Sequence, residues 1–245
     1  MLTNEEIEFL GTNGYLDLGQ LLTADEVRQV NERLAGLMEK EGNHAGAELA
    51  ESKYIRHPKE EGADRLADLV NKGEVFDIFY THPRVLAGIE AVLGQEYKLS
   101  SLNYRAAKPK QGLQKLHVDW KNTVVNEAYK VCNSIWLLDD FTADNGSTRI
   151  VPRTHKLSNL PDEVMPDPFD KHADEIRIIA PAGSVFIFNS HVWHGGTTNQ
   201  TEQVRRSIHS YFCSREQPQQ IDQKKYIKAD TLQRIGEKGK WVLDV

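Results

Sequence analysis
From Tyr97 onward the chain breaks into short runs rich in β-branched and aromatic residues, each closed by turn residues, and this limits the fold more than any other feature. The runs are Tyr97–Ala106, Lys130–Leu138, Thr148–Val151, Ile176–Ala180, Ser184–Phe188 and Arg206–Phe212. Asp144-Asn145-Gly146, Pro181-Ala182-Gly183 and Gly195-Gly196 punctuate them. No long helical pattern separates the runs, so they cannot form a parallel sheet with crossover helices. An antiparallel sandwich or barrel is the remaining solution.

Ahead of this region the period changes to that of a helix. Thr23-Ala24-Asp25-Glu26 has capping-box spacing, and Val27, Val30, Leu34 and Leu37 follow on one face, which predicts a helix from about Thr23 to Lys40. A shorter helix is expected from about Asn4 to Leu10, ending at Gly11 or Gly14. Another is expected over Val85, Leu86, Ile89, Val92 and Leu93, opened by Pro83 and stopped by Gly94. The polar stretch Glu41 to Gly62 reads as a surface loop or lid, and Lys121 to Lys130 is long enough for a second lid. With 245 residues, one domain is expected: a helical elaboration over 1–95, a jelly-roll core over 96–215 and an extension over 216–245.

Charge and composition narrow the function classes. Thirty basic against 36 acidic residues give a net −6 with no long run of one sign, which speaks against a nucleic-acid footprint. No apolar stretch reaches the roughly 20 residues of a membrane span. The first residues, Met1-Leu2-Thr3-Asn4-Glu5-Glu6, lack the basic and apolar regions of a secretory signal, so a cytoplasmic protein is expected. Cys132 and Cys213 read as buried free thiols, with a single disulfide as the alternative.

His117-Val118-Asp119 carries the chemistry. Residues two apart on a strand share a face, so this imidazole and this carboxylate can converge on one ion. A second histidine would complete a two-histidine, one-carboxylate facial triad, which leaves metal positions open for co-substrate and oxygen. The buried-strand run Ser184 to Phe188 leads into Asn189-Ser190-His191-Val192-Trp193-His194-Gly195-Gly196, where His191 and His194 compete for that place. On the last strand Arg205, Ser207, His209 and Tyr211 share a polar face, and Arg206, Ile208 and Phe212 share the other. Arginine suits a distal carboxylate through bidentate bonds, which favours Arg205 as its anchor with Ser207 beside it.

Together these residues resemble the phytanoyl-CoA dioxygenase family, from about Asn103 to Phe212. The resemblance runs through Gln114-Lys115-Leu116-His117-Val118-Asp119-Trp120, Trp136 to Asp140, Asp144 to His155, His194-Gly195-Gly196, Asn199 and Arg205. It implies a double-stranded β-helix (a cupin-like jelly roll, mainly β with N-terminal helices) that uses iron(II), 2-oxoglutarate and O₂. It selects His194, the histidine before the glycine pair, as the third ligand beside His117 and Asp119. The family arginine eleven positions later falls on Arg205, in agreement with the face argument. The resemblance also implies that Trp136 lies near the co-substrate and that Gln114 lines the pocket. Arg153 departs from the family, which usually has glycine there.

The implied activity is hydroxylation of an unactivated C–H bond in a small-molecule substrate, with release of succinate and CO₂. Related halogenases replace the carboxylate that Asp119 retains. The alternatives are a non-catalytic jelly roll that binds a metal or small molecule, and a metal-dependent hydrolase on the same ligands. Lys53, Tyr54, Arg56 and His57 form a basic cluster that could meet an anionic substrate. No feature of the sequence bears on oligomeric state.

Overall fold
The computed structural model describes residues 1–48, 60–120 and 128–245. The basic cluster Lys53, Tyr54, Arg56 and His57, and most of the second expected lid, lie outside these described residues.

The expected helices form where their end signals sit. Helix α1 (Asn4–Asn13) starts at the Thr3–Glu6 capping box and ends on Gly14, whose φ of 80° is left-handed. Helix α2 (Ala24–Glu41) starts at the Thr23–Glu26 box and buries Val27, Val30, Leu34 and Leu37. Helix α3 (Pro83–Leu93) has proline in its first turn and stops at Gly94.

Nine strands follow or intersperse these helices among the described residues: β1 Tyr15–Gln20, β2 Ala63–Leu66, β3 Tyr97–Ala107, β4 Val131–Leu137, β5 Thr148–Val151, β6 Ile176–Arg177, β7 Ser184–Asn189, β8 Trp193–Gly196 and β9 Arg205–Ser214. They build a six-stranded sheet in the order β1-β7-β4-β9-β3-β2 and a three-stranded sheet in the order β6-β5-β8. Every pairing is antiparallel. The architecture is a jelly roll with N-terminal helices.

Three strands go beyond the sequence reading. β1 and β2 arise within the region expected to be helical and become the two edges of the large sheet. β8 covers the glycine pair expected to be a turn. The fourth run, Ile176–Ala180, is shorter than expected: pairing ends at Arg177 and resumes only as a single bridge between Ala180 and Phe141.

The helices cover the outer face of the large sheet, where Leu34, Phe76, Phe79, Ile89, Leu99 and Ile208 join one core. A second core, including Ile135, Leu137, Phe186 and Phe188, fills the space on the inner face. Because strand residues alternate between faces, each large-sheet strand serves both. Cys132 and Cys213 are free and buried. Burial pushes both thiols up, that of Cys213 to about 11. Among the described residues no helix is long and apolar enough to cross a membrane.

At the turn after β5, Arg153 takes φ 71° and ψ −8°. This left-handed conformation costs a residue with a Cβ about 1–2 kcal/mol, which explains the family's glycine. Arg153→Gly should therefore stabilise the fold by about 0.5–1 kcal/mol after glycine's own entropic cost. That corresponds to a rise in Tm of about 1–4 °C, and an unchanged or lower value in a reversible melt would contradict it.

Candidate metal centre
The centre is assembled from a short bridge between two segments. His117 and His194 exchange backbone hydrogen bonds, His117 N to His194 O at 2.9 Å and His194 N to His117 O at 3.0 Å. The approach is close because β8 carries glycines. A Cβ on Gly195 would meet the Lys115 carbonyl oxygen at 2.9 Å, and one on Gly196 would meet the Gly112 carbonyl oxygen at 2.8 Å. Alternation does the rest: Leu116 and Val118 enter a small apolar cluster with Val151 and Trp193, which leaves His117 and Asp119 on the other side.

The donor atoms of His117, Asp119 and His194 lie within 4.8 Å of one another. Asp119 Oδ1 is 3.8 Å from His117 Nε2, and its Oδ2 is 3.6 Å from His194 Nε2. The Nδ1 of His117 sits 2.9 Å from the Lys115 carbonyl oxygen, and that of His194 sits 2.9 Å from the Val192 carbonyl oxygen. A carbonyl only accepts, so each Nδ1 carries the proton and each Nε2 turns a lone pair inward. Asn133 donates from Nδ2 to Asp119 Oδ2 at 2.9 Å and to Ser190 Oγ at 3.2 Å, which fixes the carboxylate. Phe188 packs against His194 with ring centroids 4.8 Å apart.

His191 stands apart from this cluster. Its Nε2 accepts from the Lys130 amide at 3.3 Å, and its ring lies 5.2 Å from that of Tyr129. Burial pulls its pKa down to about 4, so it is neutral and structural in character. His155 likewise packs under the Gly14 turn, with Nε2 3.2 Å from the Gly11 carbonyl oxygen.

Arg205 is 1% exposed and packs its guanidinium 4.3 Å over the Phe141 ring. It donates to Ser207 Oγ at 3.1 Å and to the Gly146 carbonyl at 2.6 Å, while its Nε has no hydrogen-bond partner among the described residues. Burial, followed by the charge of Arg105, strongly disfavours its protonated form. Arg206 instead pairs with Asp139 on the opposite face, its Nε 2.9 Å from Oδ2. Gln114 accepts the Gly196 amide at 2.9 Å and so braces β8.

The expectation that Trp136 lies near the co-substrate is corrected. Asn133 and Ile135 face inward, so Trp136 faces outward, into the helix-covered core. There its ring meets Phe79 at 4.8 Å and its indole N–H donates to Ser134 at 3.0 Å. A tryptophan beside a motif is a composition signal, and the parity of β4 overrides it.

Some polar residues of the site escaped the sequence reading. Asn133 is one. Glu60 is another: it pairs with both Arg65 and Arg105, which are register partners on β2 and β3. Burial pushes the Glu60 carboxyl up, but Arg105 and then Arg65 pull it down to about 2. His209, already placed on the polar face of the last strand by its parity, is held neutral first by burial and then by Arg65 and Arg105. Parity from Arg205 along β9 already pointed to His209; nothing local in the sequence pointed to Glu60.

Two antiparallel sheets enclosing a pair of imidazoles and a carboxylate define the architecture of the non-haem, facial-triad oxygenases. The chain belongs to the phytanoyl-CoA dioxygenase family: the model of "Phytanoyl-CoA dioxygenase (PhyH)" matches residues 10–207. It is thus an enzyme of a dioxygenase family. Among curated relatives, "Dioxygenase trt7" of Aspergillus terreus is 26% identical over 212 residues, covering 82% of this chain and 70% of that protein. Among solved structures, HygX from Streptomyces hygroscopicus with nickel and 2-oxoglutarate bound has a TM-score of 0.68 at 17% identity, covering 89% of this chain and 90% of its own. The 2-oxoglutarate-dependent carbocyclase SnoK from nogalamycin biosynthesis has a TM-score of 0.67 at 19% identity, covering 87% and 84%.

Proposed function
We propose that this enzyme is an iron(II)- and 2-oxoglutarate-dependent oxygenase that hydroxylates an unactivated C–H bond of a small molecule. The observation that carries the reading is a converged His–Asp–His donor set together with a buried guanidinium on β9 that has no carboxylate partner among the described residues.

The donors fit the metal. Two neutral imidazoles and one carboxylate suit iron(II), and three ligands on one side leave room for co-substrate. His117, Asp119 and His194 would hold it. The cations then divide by their partners: Arg65 and Arg105 share Glu60, and Arg206 pairs with Asp139. Arg205 is left to take the far carboxylate of 2-oxoglutarate, with the Ser207 hydroxyl beside it.

Bound iron supplies activation of O₂ coupled to conversion of 2-oxoglutarate into succinate and CO₂. The chain's residues supply orientation. The Lys115 and Val192 carbonyls fix both imidazole tautomers, and Asn133 fixes the carboxylate. Phe188 beside His194 and Phe141 under Arg205 exclude water on their sides of the site. Asn133→Leu should weaken iron binding about 10–100-fold without unfolding the protein. Iron affinity equal to that of the wild type, in an anaerobic titration, would remove Asn133 from this role.

Ring closure is the second reading, since SnoK is a carbocyclase on a similar fold. The test is aerobic incubation with iron(II), 2-oxoglutarate and a substrate panel, with succinate and product masses measured. Hydroxylation adds one oxygen atom to the product; ring closure removes two hydrogens. Iron and 2-oxoglutarate binding without succinate would favour a non-catalytic binder. Zinc-supported turnover without O₂ would favour a hydrolase.

A further inference from the structure
The inner face of the large sheet is divided in two. Toward β7 and β4 it is apolar, with Phe186, Phe188, Ile135 and Leu137 in the inter-sheet core. Toward β9 and β3 the alternate positions are polar. Arg105 pairs with Ser207, Asn103 with His209, and Ser101 with Tyr211. Ser101, Asn103 and Arg105 are nevertheless buried.

Buried polar atoms are almost always matched by hydrogen bonds. Here the match is incomplete. Asn103 donates from Nδ2 to Ser101 Oγ at 2.9 Å, and that hydroxyl donates to Gln220 Oε1 at 2.5 Å. The Asn103 Oδ1 atom is buried with no partner among the described residues, and so is Asn133 Oδ1. Asn133 pairs with Tyr211, and its amide holds Asp119. Tyr211 and its β3 partner Ser101 therefore lie in the half of β9 away from Arg205, level with the asparagine that holds the Asp119 carboxylate, and Asn103 lies one inward-facing pair nearer to Arg205. That is where a bond to be oxidised has to be brought, not where the far carboxylate of 2-oxoglutarate is anchored.

We infer that the Ser101, Asn103 and Tyr211 part of this polar half-face is the substrate subsite, and that the substrate presents hydroxyl, amide or amino groups to it instead of an aliphatic chain. An acyl chain laid there would offer no hydrogen bond to the buried Asn103 Oδ1 and leave it unmatched. A substrate donor, by contrast, satisfies Asn103 Oδ1. The inference rests on the oxygenase reading above.

The test uses the full chain loaded anaerobically with iron(II) and 2-oxoglutarate, followed through its visible charge-transfer band. One panel contains aminosugar glycosides, disaccharides and dipeptides; the other contains palmitate and palmitoyl-CoA. Members of the polar panel should perturb the band and, once O₂ is admitted, raise succinate formation. Asn103→Leu should weaken that response about 10–100-fold while 2-oxoglutarate half-saturation holds. Tyr211→Phe serves in its place if the leucine variant does not fold. A band that answers only to the acyl panel, or to neither panel, overturns the inference and leaves the oxygenase reading standing. Absence of both the band and succinate strikes that reading instead.

Discussion

His194→Ala will abolish iron binding and turnover, whereas His191→Ala will leave most of both. The two histidines are three residues apart and both are buried, so sequence proximity does not separate them. Their environments do. His194 directs Nε2 at Asp119 from 3.6 Å with its other nitrogen tied to a carbonyl, while His191 spends its Nε2 on the Lys130 amide. Removing an imidazole from a three-donor set should exceed the roughly 10–100-fold that loss of an outer partner costs. Iron stoichiometry and succinate yield are the readouts, with circular dichroism as the folding control. An inactive His191→Ala beside an active His194→Ala would reassign the ligand.

Arg205→Ala will raise the half-saturating 2-oxoglutarate concentration about 100-fold or more, and Arg206→Ala will leave it nearly unchanged. Two hydrogen bonds to a carboxylate at about 1.5–3 kcal/mol each account for that size. Arg206 sits on the other face, and its ion pair with Asp139, at 33% and 22% side-chain exposure, should be worth about 1 kcal/mol or less. Its loss should appear as a small drop in Tm. Arg205→Lys should recover part of the 2-oxoglutarate response, because it restores the charge without the planar fork. An Arg205→Ala protein with a lower rate but an unmoved half-saturation would show that the arginine acts on packing and not on the co-substrate.

Much of this was legible locally. Capping boxes at Thr3 and Thr23, Pro83 and Gly94 are end signals that act within one turn, and the helices begin and end there. The parity of β9 separates Arg205 from Arg206 without any tertiary information, since successive side chains must point to opposite faces. The same rule, applied strictly to β4, would have turned Trp136 outward and found Asn133.

β1 and β2 were harder to read. Each is short and lies among helical signals, and each is stabilised by a strand distant in sequence: β7 for the first and β3 for the second. β8 reads as a turn because glycines usually mark one. Here they admit the Lys115 and Gly112 carbonyls instead, a contact between segments about 80 residues apart.

The sequence by itself determined the alternation of faces, the helix ends and the pair His117 and Asp119, because these depend on neighbours within a few residues. Only the tertiary structure decided which imidazole nitrogens converge and, among the described residues, which guanidinium lacks a carboxylate and which asparagine oxygens lack a partner. Those are properties of contacts made across sheets, where burial sets the cost of an unmatched charge or dipole.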